Sequence, residues 1–115
     1  MYRDVLVTEL VKWINNNLEE ELNINIVAQK SGYSKWHLQR LFKRLTGVTI
    51  ARYIRWRRLN NAAALLKISN APILDIALKY HFDSQASFTR AFKRQFSKTP
   101  FEYRRMEISE HNGYY

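Results

Sequence analysis

Two stretches of this chain carry side chains suited to the edges of base pairs. Trp36, Gln39, Arg40 and Lys43 recur at the i, i+3, i+4, i+7 spacing of one helix face, and Ala86, Thr89, Arg90 and Lys93 repeat it fifty residues on. Gln85 and Ser87 lie beside the second of these faces, near its amino-terminal end. An arginine can pair bidentately with guanine and a glutamine with adenine, while an apolar or aromatic group can pack on a thymine methyl. The opposite faces are apolar: Leu38, Leu41, Phe42 and Leu45 in the first stretch, Phe88, Ala91 and Phe92 in the second. Solvated surface residues would give one such pattern by accident. Two copies in register weigh against that reading.

The elements that must position these faces belong to an internal repeat. The segment from Ile24 to Arg55 resembles the one from Ile73 to Arg105. Upstream of the turn the offset is 49, pairing Ile24 with Ile73, Ala28 with Ala77 and Tyr33 with Phe82. Beyond it the offset is 50, pairing Leu38 with Phe88, Phe42-Lys43-Arg44 with Phe92-Lys93-Arg94, Thr49 with Thr99 and Tyr53 with Tyr103. Two copies are too few for a solenoid and read as two equivalent modules. Periodicity and caps then predict seven helices. They cover about 3–17 (apolar face Leu6, Leu10, Trp13, Ile14), 25–31 ending at Gly32, and 35–45 between Ser34 and Gly47. A long one runs about 49–67, followed by 73–80, by 85–95 after Asp83-Ser84, and by a short helix opened by Thr99-Pro100. The expected architecture is all-α: two helix-turn-helix subdomains, about 25–46 and 73–96, joined by a linker helix of about 49–67. Residues 3–105 form the domain, and 106–115 a tail expected to fray.

Charge points to the partner. The 115 residues carry a net +9, but residues 1–22 hold two basic and five acidic side chains, whereas 23–105 hold 17 basic ones against Asp75, Asp83 and Glu102. Such a block attracts polyanions. Its cations interleave with aromatics rather than forming one polar face, which argues against a membrane surface. Lys35, His37, Lys43 and Lys93 on the reading helices, and Arg52, Arg55, Arg57 and Arg58 on the linker helix, are candidate phosphate contacts. Trp56 is expected to pack against the first helix. A linker of nineteen residues spans roughly 28 Å, so with helix widths added, Lys35–Leu45 and Gln85–Gln95 could reach successive major grooves about 34 Å apart from a single chain. A monomer on double-stranded DNA is the expectation.

Other classes fit less well. The composition is that of an ordinary globular protein, 46% hydrophobic, and three Gly and two Pro leave little room for a turn-rich β-sandwich. No cysteine is present, which excludes disulfides and thiolate metal sites and suits a reducing compartment. No long apolar run or export signal opens the chain, so a cytoplasmic protein is expected. His37, His81 and His111 are scattered, and no carboxylate pair, glycine-rich loop or nucleophile motif accompanies them, so neither an enzyme nor a bound metal or cofactor is expected. An RNA-binding module is a weaker alternative, because sequence-specific RNA modules usually display aromatics on sheets. A polymerase-binding adaptor without sequence-specific DNA readout is another.

The run Gly32-Tyr33-Ser34-Lys35-Trp36-His37-Leu38-Gln39-Arg40 is similar to the first recognition helix of the AraC/XylS family, most closely of its short MarA/SoxS/Rob-type activators. Phe82-Asp83-Ser84-Gln85, Phe88-Thr89-Arg90 and Pro100-Phe101-Glu102-Tyr103-Arg104 resemble the second. The resemblance implies a seven-helix, bilobed fold and activation of transcription through RNA polymerase. It also implies base reading by Trp36, Gln39 and Arg40 in one groove and by Gln85, Ser87, Thr89 and Arg90 in the next. No separate effector domain fits in this length, which implies control by abundance rather than by a ligand. Two residues depart from the pattern. His81 stands where the second turn usually has Gly, a position histidine can take at modest strain. Ala86 stands where the subgroup commonly has Gln, which removes one potential base contact.

Overall fold

A computed structural model describes residues 2–106, with side chains from Val5 onward. The tail 107–115, with His111, lies outside the described residues. Among the described residues there are seven helices and no strand, as the patterning predicts: α1 Tyr2–Asn15, α2 Ile24–Ser31, α3 Lys35–Thr46, α4 Ile50–Ile68, α5 Ile73–Lys79, α6 Gln85–Phe96 and α7 Pro100–Arg105. The chain divides into two compact units, Met1–Arg58 and Leu59–Tyr115. The first holds α1–α3 and the start of α4; the second holds the rest of α4 and α5–α7.

Each boundary has a local cause. The Asn23 side chain caps α2 by accepting from the Ile26 N–H at 2.9 Å. Gly32 closes that helix at φ 79°, and its N–H donates to the Ala28 carbonyl. A side chain at that backbone angle would be strained, and the turn into α3 depends on it. Ser34 opens α3 and Gly47 closes it at φ 84°. In the second unit His81 (φ 65°) takes the place of Gly32, as expected from its position, and Ser97 (φ 65°) takes that of Gly47. A left-handed residue other than glycine costs on the order of 1 kcal/mol, a cost the surrounding hydrogen bonds offset: His81 N–H to Leu78 O at 3.0 Å and Phe82 N–H to Ala77 O at 3.0 Å. Thr99 and Glu102 form a reciprocal capping box under Pro100. The Thr99 N–H and hydroxyl hold the exposed Glu102 carboxyl below its ordinary pKa. That contribution is present above the ordinary glutamate value and is lost as pH falls through the lowered one.

The first unit buries Val7, Leu10, Ile14, Val27, Leu38, Leu41, Phe42, Ile50 and Ile54. The buried line of α1 passes through Val7, Leu10 and Ile14, leaving Leu6 and Trp13 half-buried beside it. The second unit buries Leu59, Ala62, Ala63, Leu66, Ile76, Ala77, Phe88, Ala91 and Phe92. Phe88 and Phe92 are fully enclosed, and each such side chain stabilises by roughly 1.5–3 kcal/mol relative to exposure.

Two sequence expectations, those for Leu45 and Arg58, are corrected. Leu45 is 42% exposed rather than buried, because α3 reaches the edge of the core one turn earlier, at Phe42. Trp56 is 49% exposed, its ring 6.2 Å from Tyr53 and under the Arg57 guanidinium at 5.8 Å. Arg58 is no surface cation. It is 9% exposed, donating from Nε to the Leu18 carbonyl at 2.9 Å and from Nη2 to the Glu20 carbonyl at 2.7 Å. Burial lowers its pKa from the usual arginine value.

Candidate nucleic-acid interface

Helix α3 is fixed by its apolar side and presents the other. Leu38, Leu41 and Phe42 are buried, at 0–1% exposure, so the side chains across the helix are committed to solvent. These are Lys35, Trp36, Gln39, Arg40 and Lys43, all exposed, with Trp36 at 75%. An indole that open to water buries little of its own surface, and it stands beside a guanidinium and an amide on the same face. The Ser34 hydroxyl accepts from the His37 N–H at 3.2 Å, which fixes the helix start. His37 is exposed, with its ring stacked on Tyr33 at 4.7 Å.

Helix α6 repeats the arrangement. Phe88, Ala91 and Phe92 point inward, while Gln85, Ala86, Arg90 and Lys93 are exposed. Ser87 and Thr89 are half-buried. The Ser87 hydroxyl donates to the Ser84 carbonyl at 3.0 Å and accepts from the Ser84 N–H at 3.3 Å, completing a capping box with the Ser84 side chain. That hydroxyl holds the start of the reading helix as well as standing near its outer face. Neither α3 nor α6 contains a carboxylate, so both exposed faces carry positive side chains, with exposed Asp83 standing just before the start of α6. The free N–H groups at each helix start add to that potential.

The remaining cations divide by what they touch. Arg52 and Arg55 are exposed on α4. Arg57 is half-buried over Trp56, and its Nε is buried without a hydrogen-bond partner. Arg58 is engaged as described. Arg104 does in the second unit what Arg58 does in the first: Nε donates to the Leu66 carbonyl at 3.0 Å and Nη2 to the Ala71 carbonyl at 2.7 Å. Lys67 donates to the Met106 carbonyl at 2.6 Å. A count of basic residues therefore overstates the cations available to a polyanion. The signal for Arg58 lies in spacing: Ile50, Ile54, Arg58, Ala62 and Leu66 fall every fourth residue along α4, which is one helix face.

Among the described residues no group of three His, Cys, Asp or Glu side chains could hold a metal ion. No helix there is long and apolar enough to cross a membrane.

Residues 27–106 match the family described as a helix-turn-helix domain. The chain is 55% identical over 100 residues to the transcriptional regulator Rob of Salmonella typhimurium, covering 87% of this chain and 35% of that protein. It therefore spans about a third of that relative's length. With the regulatory protein SoxS of Escherichia coli K12 it shares 46% identity over 104 residues, covering 90% of this chain and 97% of SoxS. A solved transcriptional regulator of Chromobacterium violaceum, described by its AraC-type DNA-binding domain, superposes with a TM-score of 0.82 at 34% identity, covering 88% of this chain and 90% of that one.

Proposed function

The chain belongs to the helix-turn-helix family of AraC-type DNA-binding domains, and from that premise we propose that it is a sequence-specific regulator of transcription that reads duplex DNA as a monomer through α3 and α6. One observation carries the reading. In each unit the second helix of the motif is pinned by a serine cap and a buried apolar face, and it turns a cationic face with an arginine at the same register to solvent. Trp36, Gln39 and Arg40 read the first half-site; Gln85, Thr89 and Arg90, with Ser87 at the helix start, read the second. Lys35, His37, Lys43, Arg52, Arg55, Arg57 and Lys93 hold phosphates and set register. Ala86 offers only a methyl, so the second half-site is the more permissive. The family resemblance extends the proposal to activation by contact with RNA polymerase, in the cytoplasm.

Stoichiometry tests the monomer. Both reading helices lie in one chain, so the site is a single asymmetric duplex of roughly two helical turns. Sedimentation of the complex is expected to give one chain per duplex; two chains on a palindrome would overturn the arrangement.

Substitution tests the reading faces. Arg40→Ala and Arg90→Ala are each expected to lose about 1–3 kcal/mol on the specific site, and far less on random duplex. Arg52→Ala is expected to weaken both duplexes alike, because a phosphate contact carries no sequence information. Equal losses for all three on both duplexes, measured by anisotropy, would mean that the reading faces are misassigned. A polymerase-binding adaptor or RNA module would show no preference for any duplex sequence.

A further inference from the structure

The two units share a corner built where the second helix of the motif meets the helix that follows. Phe42 and Phe92 are equivalent there, as are Gly47 and Ser97, Thr49 and Thr99, Tyr53 and Tyr103. In the second unit three rings close the corner. Phe96 lies 4.5 Å from Phe92 and 5.5 Å from Tyr103, and those two are 5.4 Å apart. In the first unit Phe42 and Tyr53 keep their edge contact at 5.9 Å, but Thr46 stands where the other copy has Phe96. The third ring is absent, and a pocket of about 420 Å³ opens in its place, lined by Thr46, Val48, Arg52, Tyr53 and Trp56.

The walls of this pocket are fixed. The Thr46 hydroxyl donates to the Phe42 carbonyl at 2.7 Å and accepts from the Val48 N–H at 3.3 Å. The Tyr53 hydroxyl donates to Asn15 Oδ1 at 3.0 Å. Fully buried Phe42 backs the Tyr53 ring. Trp56 and Val48 stay 49% and 37% exposed at the rim. Charge is reversed between the copies. Glu102 occupies in the second unit the place of Arg52 in the first, and no carboxylate occurs in the sequence between Glu21 and Asp75.

We propose that this corner binds a small aromatic anion, its ring seated against Tyr53 and Trp56 where Phe96 sits in the other copy and its acid group held by Arg52. The volume suits one or two fused rings, and a preformed apolar pocket with one placed charge is the usual form of a small-molecule site. In the second copy a ring packs against Tyr103 and Phe92, the equivalents of Tyr53 and Phe42, and Arg52 selects the sign of the charge.

Titration of the free 115-residue chain with 2-naphthoate, followed by calorimetry and tryptophan fluorescence, tests the site; no DNA is present, so the outcome is independent of the proposed base reading. Saturable binding at one molecule per chain is expected, roughly fivefold weaker for the neutral 2-naphthalenemethanol. Trp56→Ala, a change at an exposed rim residue, is expected to weaken naphthoate about tenfold. Thr46→Phe, which restores the ring of the other copy, is expected to abolish binding while the circular dichroism spectrum is kept. Unchanged affinity in Thr46→Phe, equal affinity for acid and alcohol, or no saturable binding would each overturn the proposal. So would a self-association that Thr46→Phe abolishes without any naphthoate binding, since it would put a second copy's side chain in the corner.

Discussion

Raising the salt concentration from about 50 to about 200 mM is expected to weaken binding to the specific duplex by on the order of a thousandfold. The affinity of a protein that neutralises Z phosphates falls with a log–log slope of about −0.9Z, because each contact releases condensed counterions. Lys35, Lys43, Arg52, Arg55 and Lys93 are exposed, and Arg57 is half-buried with an unpartnered Nε. Those six give a slope of roughly −5. Arg58, Arg104 and Lys67 are left out because their donors are spent on backbone carbonyls. Had all 17 cations of residues 23–105 been free to bind, a far steeper slope of roughly −15 would follow. A slope near −1 would mean that hardly any phosphate is touched and would remove the basis for reading the cationic segment as a DNA surface. The measurement therefore tests both the partner and the assignment of these six cations to phosphates.

Much of the fold is legible in the sequence, and the part that is not has physical causes. Caps are local: Ser34, Ser84 and Thr99 each accept from an N–H three residues on, so the sequence names them without any tertiary knowledge. The left-handed His81 follows from alignment of the chain with itself, since Gly32 at the equivalent place is left-handed too. Leu45 was misread because its spacing continues the buried stripe past the point where the core ends. Periodicity reports which face a residue is on, and only packing reports how far the neighbour extends. Ser87 lies near the outer face, but its role in the capping box emerged only from the hydrogen bonds at the helix start. For Arg58 charge and spacing point opposite ways, and spacing wins: it lies four residues from both buried Ile54 and buried Ala62.

That last case gives a prediction that separates stability from binding. Arg58→Ala is expected to destabilise the fold by roughly 3 kcal/mol or more, since two hydrogen bonds from a charged group contribute about 1.5–3 kcal/mol each. The Leu18 and Glu20 carbonyls follow α1 in the chain, in the segment that leads to the Asn23 cap of α2. With the guanidinium gone, both acceptors lose their partner in a place where Leu18 is itself buried, and the aliphatic stem that fills the space beside them is lost as well. Arg58→Lys is expected to recover little, because an ammonium cannot offer two donors in the fixed fork that reaches both carbonyls. Arg55→Ala is the contrast. Arg55 is exposed three residues earlier on the same helix, so its loss is expected to shift stability by less than about 0.5 kcal/mol while reducing DNA affinity on specific and random duplex alike. Urea denaturation of the three variants, paired with anisotropy on both duplexes under conditions where each protein is folded, reads the two effects apart. If Arg58→Ala proved as stable as the parent and lost DNA affinity as Arg55→Ala does, the guanidinium would be reaching phosphate after all, and the assignment of Arg58 as an internal staple would be wrong.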